Sequence, residues 1–183
     1  QKFQIKDVVF LAIMSAVALA TCAVMPLVIS LQPLIFGISQ LVTALQIGVF
    51  FAIGLYKVRK PGSLLIMALM MGLIQLMMSP PMFLSSVLNG VLIELIVLLL
   101  FRGYEKDAAV FVAAMLHTPL SLPFNYLYNR LIKGADSPLA AVADRAPLAA
   151  VGMTLAVVAV SALGALIGIK IARELKKSGV LKK

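Results

Sequence analysis

His117, Ser121 and Asn125 recur every four residues inside an apolar run, and Tyr128 and Asn129 carry the same face onward. On an α-helix that spacing stacks side chains in one stripe. An imidazole, a hydroxyl, two amides and a phenol supply donors, acceptors and an aromatic face without fixed charge. Such a set suits the holding of a small polar aromatic molecule. Asn89, in the preceding apolar run, and Tyr126 beside the stripe extend the candidate ligand-binding set to Asn89, His117, Ser121, Asn125, Tyr126 and Tyr128. Pro119 and Pro123 interrupt the same run. Each removes a backbone donor, so the freed carbonyls call for water or a ligand in a cavity. The competing reading is a ladder of interhelical hydrogen bonds, worth about 1 kcal/mol each.

Bond-making chemistry has little to work with. The chain holds one histidine, one cysteine, no phosphate-binding glycine loop and no His-Glu-x-x-His pattern, so no catalytic residue and no metal site is expected. Glu94 sits deep in an apolar run, where a carboxylate must find a partner, a cavity or another subunit. Its position past the middle of that run points to internal pairing. Gln40, Gln46 and Gln75 read mainly as interhelical bonding groups. Arg130, Lys133, Asp136, Asp144 and Arg145 read as solvated loop charges that matter if the ligand is an anion. Cys22, alone in an apolar span, rules out an intramolecular disulfide, and the ten methionines read as adaptable packing.

The elements that position these residues follow from composition. The chain has 183 residues, 62% of them hydrophobic and 13% charged, with a mean hydropathy of +1.08. That is more apolar surface than a water-soluble domain of this size needs. The expected fold is an all-α membrane protein, a single domain over residues 1–183 with six transmembrane helices near 8–29, 34–56, 63–78, 82–101, 108–131 and 147–171. The first apolar run is too long for a cleavable signal peptide. Thirteen of the sixteen basic residues fall at one face when the N-terminus is placed inside. Both termini are therefore expected in the cytoplasm, with the chain a multi-pass protein of a prokaryotic plasma membrane. The net charge of +9 belongs to this topology, so nucleic acid is not an expected partner. A channel or free-standing carrier would need a polar path through the whole thickness, and polar residues thin out toward the cytoplasmic half. A scaffold without ligand would not need the stripe.

Two rows of small residues stand apart. Ala12, Ala16 and Ala20 lie four residues apart in the first span, and Gly164, Gly168 and Ala172 repeat the pattern in the last. Small rows let helices approach closely in lipid. They serve packing within the chain or docking of a separate membrane subunit, and two such rows favour docking.

With these features the chain resembles the S components of energy-coupling factor (ECF) transporters. The Ala12, Ala16, Ala20 row behind basic residues carries the resemblance, supported over the whole length by helix number and size. The resemblance implies a membrane subunit that captures a water-soluble vitamin from outside. It implies docking through the small-residue rows on a T component, a transmembrane scaffold coupled to two cytoplasmic ATPases that use ATP and Mg. This chain would then be no enzyme and carry no cofactor. Ser30, Gln32 and Pro33 match the gating loop, and Asn89, His117, Ser121 and Asn125 fall where ligand contacts are usual. The last span offers only Thr154 and Ser161, a departure from relatives that contribute contacts there. The substrate type it most resembles is hydroxymethylpyrimidine or pyridoxine. Pantothenate or another B vitamin is the alternative, with Arg130 or Arg145 meeting the pantothenate carboxylate.

Overall fold

A computed structural model describes residues 2–24, 27–28, 30–134 and 137–181. Among these residues the chain is all-helical, with seven helices and no strand. They are α1 (Ile5–Thr21), α2 (Ile38–Lys57), α3 (Ser63–Leu76), α4 (Pro80–Phe101), α5 (Asp107–Leu131), α6 (Pro138–Arg145) and α7 (Pro147–Lys177). Four of them, α2, α4, α5 and α7, are long and apolar enough to cross a membrane. Large apolar side chains such as Leu99, Leu148 and Leu155 point outward, at 82%, 88% and 65% exposure. That inverted surface is what lipid, not water, accommodates.

Several boundaries differ from the sequence expectation. The first helix closes at Thr21 with Cys22 as its C-cap, well before residue 29. Residues 30–37 form turns, and α2 begins only at Ile38 behind Gly37, which adopts φ +75°. Pro80 and Pro81 do not precede the fourth helix as a turn; they are its first two residues, where a missing N–H costs nothing. The connection after α5 contains the short helix α6, and α7 runs on to Lys177 through what reads as a basic tail. Asp136 lies outside the described residues.

Close backbone contact holds the bundle together. The most extensive packing is α2 against α7, where Gly48, Gly164 and Gly168 form the seam. A Cβ on Gly164 would lie 2.5 Å from the Leu45 carbonyl oxygen, and one on Gly168 2.4 Å from that of Val49. On the other side α3 packs on α4 and α1, with a Cβ at Gly90 falling 2.6 Å from that of Ala68. Buried hydroxyls stitch neighbouring helices. Ser15 donates to the Met67 carbonyl at 3.2 Å and Ser86 to that of Ala68 at 2.9 Å. Ser161 of α7 donates to the Met115 carbonyl at 2.8 Å, the group four residues before Pro119. The carbonyl that this proline frees is therefore answered by a neighbouring helix, not by a cavity.

The two ends of the bundle differ sharply. At one end Lys60 pairs with Asp7 and reaches the Lys2 carbonyl, while Arg59 and Arg173 converge on Asp107. Lys2 and the C-terminal part of α7 lie at this basic end. Just inside it Glu94 accepts the Gly62 N–H at 2.6 Å and the Tyr104 hydroxyl at 2.8 Å. Burial first, and Glu94 second, push the Tyr104 hydroxyl well above the ordinary tyrosine range, so it stays a donor. The carboxylate thus joins α4 to the turns on either side, the internal pairing expected of it. Phe51, Leu55, Leu64, Met67, Ile93 and Val97 belong to the apolar core of the bundle, with no exposure.

Candidate functional site

The opposite end is hollow. A cavity of about 630 Å³ opens among the start of α2, the end of α3, the start of α4 and the second half of α5. Local sequence explains why these segments leave a hole. Pro119 and Pro123 disturb the hydrogen-bond ladder of α5, Pro80 and Pro81 fix the start of α4, and short polar side chains replace large apolar ones along the inner faces.

Most of the expected binding residues meet here. Asn89 comes from α4, and His117, Ser121, Asn125 and Tyr128 come from α5 as one stripe. Asn129 continues the stripe and is tied down, donating to the Asn125 carbonyl at 2.8 Å and accepting from Ser137 at 2.9 Å. Gln32 and Pro33 also line the cavity, with the Gln32 amide donating to the Ser39 hydroxyl. Lys133 stands at the rim, its ammonium 5.9 Å from the centre of the Tyr128 ring.

Three expectations fail. Tyr126 does not line the cavity; its hydroxyl donates to Asp144 on α6 at 2.7 Å. One residue past Asn125 is a rotation of about 100° on a helix, which turns the ring away from the stripe. Ser30 is exposed outside the cavity, its hydroxyl donating to the Leu27 carbonyl. Gly164 and Gly168 present no surface to a partner, because α2 occupies their row. By contrast Ala16 and Ala20 are exposed and Ala12 half-buried, so the row on α1 faces outward. Arg130 is taken up by Asp144 as an ion pair.

The lining also contains residues that the stripe alone does not reveal. Ser39 and Thr43 come from α2, Ser79, Ser85 and Ser86 from the start of α4, and Thr118 from α5. Helical spacing is the signal that finds them: Ser39 and Thr43 are four apart, and Ser85 and Ser86 precede Asn89 by four and three. Gln40 and Gln75 line the cavity too.

The innermost wall lacks partners. Asn89 Oδ1, both ring nitrogens of His117 and Thr118 Oγ1 are buried without a hydrogen bond. The His117 ring rests against Phe51, centroids 4.5 Å apart and planes tilted by 54°. Elsewhere among the described residues Gln46 Oε1 is also buried without a partner, whereas Ser15, Ser63, Ser86, Glu94 and Ser161 all have partners. The arrangement can accept and donate hydrogen bonds to a guest, and carries no charge at its floor.

Fold and cavity together define an all-helical integral membrane protein built around a polar chamber open at one end. The model of a bacterial integral membrane protein family, described as "Hypothetical bacterial integral membrane protein (Trep_Strep)", matches residues 5–177, and the chain belongs to that family. No curated protein and no solved structure matches the chain.

Proposed function

We propose that this chain is the substrate-binding S component of an ECF-type importer, taking up a small water-soluble vitamin or vitamin precursor. The observation that carries the reading is the cavity of about 630 Å³, hydroxyl- and amide-lined at one end of the bundle and sealed by apolar side chains toward the other. The volume is in the range of small-molecule sites. A sealed inner half supports capture and excludes free conduction, so release on the far side needs movement driven from outside the chain. In this reading α1 to α5 and α7 give six spans, with both termini and the basic end in the cytoplasm of a prokaryotic cell. Gln32 and Pro33 act at the gate. The outward row Ala12, Ala16, Ala20 docks on a T component, and two partner ATPases supply the work with ATP and Mg. The chain itself performs no catalysis. Hydroxymethylpyrimidine or pyridoxine is the favoured substrate, since no carboxylate lines the described part of the cavity and its floor is neutral.

Mass spectrometry of small molecules released from the detergent-purified protein tests the reading, beside an Asn125→Ala control. The expected result is a B-vitamin or precursor in the wild type, absent from the control. A preparation that stays empty after soaking with a B-vitamin panel would remove the cavity's role.

A further inference from the structure

The unpartnered wall restricts what can enter. Asn89, His117 and Thr118 are 1%, 5% and 3% exposed, and four of their polar atoms have no hydrogen bond. Folded proteins seldom leave such groups unmet, and four of the five unmet atoms among the described residues belong to side chains lining this one cavity, the fifth being Gln46 Oε1 outside it. Their hydrogen-bonding capacities can be counted. A neutral imidazole has one donor and one acceptor nitrogen, the Asn89 amide has both functions, and the Thr118 hydroxyl can act as either. A guest that satisfies the wall must offer a donor to Asn89 Oδ1, a donor to one His117 nitrogen and an acceptor to the other. A carboxylate supplies acceptors only. An ammonium supplies donors only, and the wall holds no carboxylate to neutralise it.

Resting on the reading of this cavity as the substrate site, we propose that Asn89, His117 and Thr118 form a specificity-determining subsite. It admits the neutral donor–acceptor edge of a nitrogen heterocycle and rejects a carboxylate at the inner end. A side-chain amide matches such an edge in a two-point contact, as Asn and Gln do with the amino and ring nitrogens of adenine. Phe51 holds the imidazole plane from behind, so the edge is met by an orientated ring. A carboxylate-bearing guest can enter only with its acid toward Lys133 at the rim, 5.9 Å from the Tyr128 ring centre.

Calorimetric binding to the purified full chain distinguishes the outcomes, with 4-amino-5-hydroxymethyl-2-methylpyrimidine, pyridoxine and pantothenate as probes. The expected result is binding of a neutral heterocycle, weakened about tenfold or more by Asn89→Leu and by the isosteric Thr118→Val. Because these groups lack partners in the empty protein, neither substitution should lower its melting temperature. That separates recognition from architecture. Binding of pantothenate alone, or of a heterocycle indifferently to both substitutions, overturns the subsite and leaves the cavity reading standing. Binding of none of the three overturns the subsite and the substrate reading together.

Discussion

Replacing Glu94 by alanine strips two donors of their acceptor at once: the partly buried Gly62 N–H at 2.6 Å and the buried Tyr104 hydroxyl at 2.8 Å. Each buried group left unsatisfied costs about 1–3 kcal/mol. Water entering the vacated volume would recover part of the loss, which places the expected destabilisation at about 2–4 kcal/mol. Glu94→Gln keeps one oxygen acceptor and turns an amide nitrogen toward the other donor, so it should fall between alanine and wild type. Tyr104→Phe removes one of the same two bonds, and its effect should combine with Glu94→Ala less than additively. The assay is reversible unfolding in mixed lipid–detergent micelles titrated with dodecyl sulfate. Ligand binding by the surviving folded fraction should be unchanged, because Glu94 does not line the cavity. If Glu94→Ala unfolds within about 0.5 kcal/mol of wild type while binding collapses, the carboxylate belongs to function, and the architectural account of it is wrong.

Gly168→Val should drive α7 away from α2, since the new Cβ meets the Val49 carbonyl oxygen at 2.4 Å and that backbone cannot rotate aside. A loss of about 3 kcal/mol, the upper end of ordinary overpacking, should appear in the same micelle titration. Ala16→Trp, on an exposed position of α1, should leave unfolding and ligand binding unaltered while a co-purifying membrane subunit is lost, as read by mass spectrometry of the purified complex. Equal recovery of that subunit would remove the docking role from this row. Tyr126→Phe should leave ligand affinity unchanged by calorimetry, because that hydroxyl serves Asp144 outside the cavity.

The class of fold was legible because one physical constraint dominates: a chain this apolar needs lipid around it, and backbone groups in lipid must be paired within helices. The α5 stripe was legible for a related reason, since polar groups four residues apart in an apolar helix are too costly to lie there by accident. Ser39, Thr43 and Ser86 escaped because a single hydroxyl in a membrane helix can also back-bond its own carbonyl, as Thr43 does to Ser39 at 2.9 Å. Hydropathy could not reveal the early end of α1 at Thr21, because the turn at Cys22, Ala23 and Val24 is as apolar as the helix before it. Nor could spacing say which small-residue row faces outward. Ala12, Ala16, Ala20 and Gly164, Gly168 have the same period, and only the packing of α2 against α7 assigns the second row to the interior.

The division of polar groups between the two ends bears directly on how such a molecule works. At the basic end the buried polar side chains are answered, Glu94 by Gly62 and Tyr104 and Ser63 by the carbonyls of Val58 and Lys60, and the half-buried Asp107 is answered by Arg59 and Arg173. At the other end Asn89, His117 and Thr118 are left wanting. Unmet polar groups destabilise the empty fold, and their cost is relieved only by something that binds. A bundle that was uniformly satisfied would have no reason to prefer the occupied state, and one that was uniformly deficient would not hold its shape. On the proposed reading, concentrating the deficit on one wall, above a core closed by Phe51, Leu55, Leu64 and Val97, keeps the scaffold rigid while making the chamber selective. In that reading His117 with Asn89 and Thr118 is a demand for a guest, while Ser121 and Asn129 of the same stripe are already bonded within the protein.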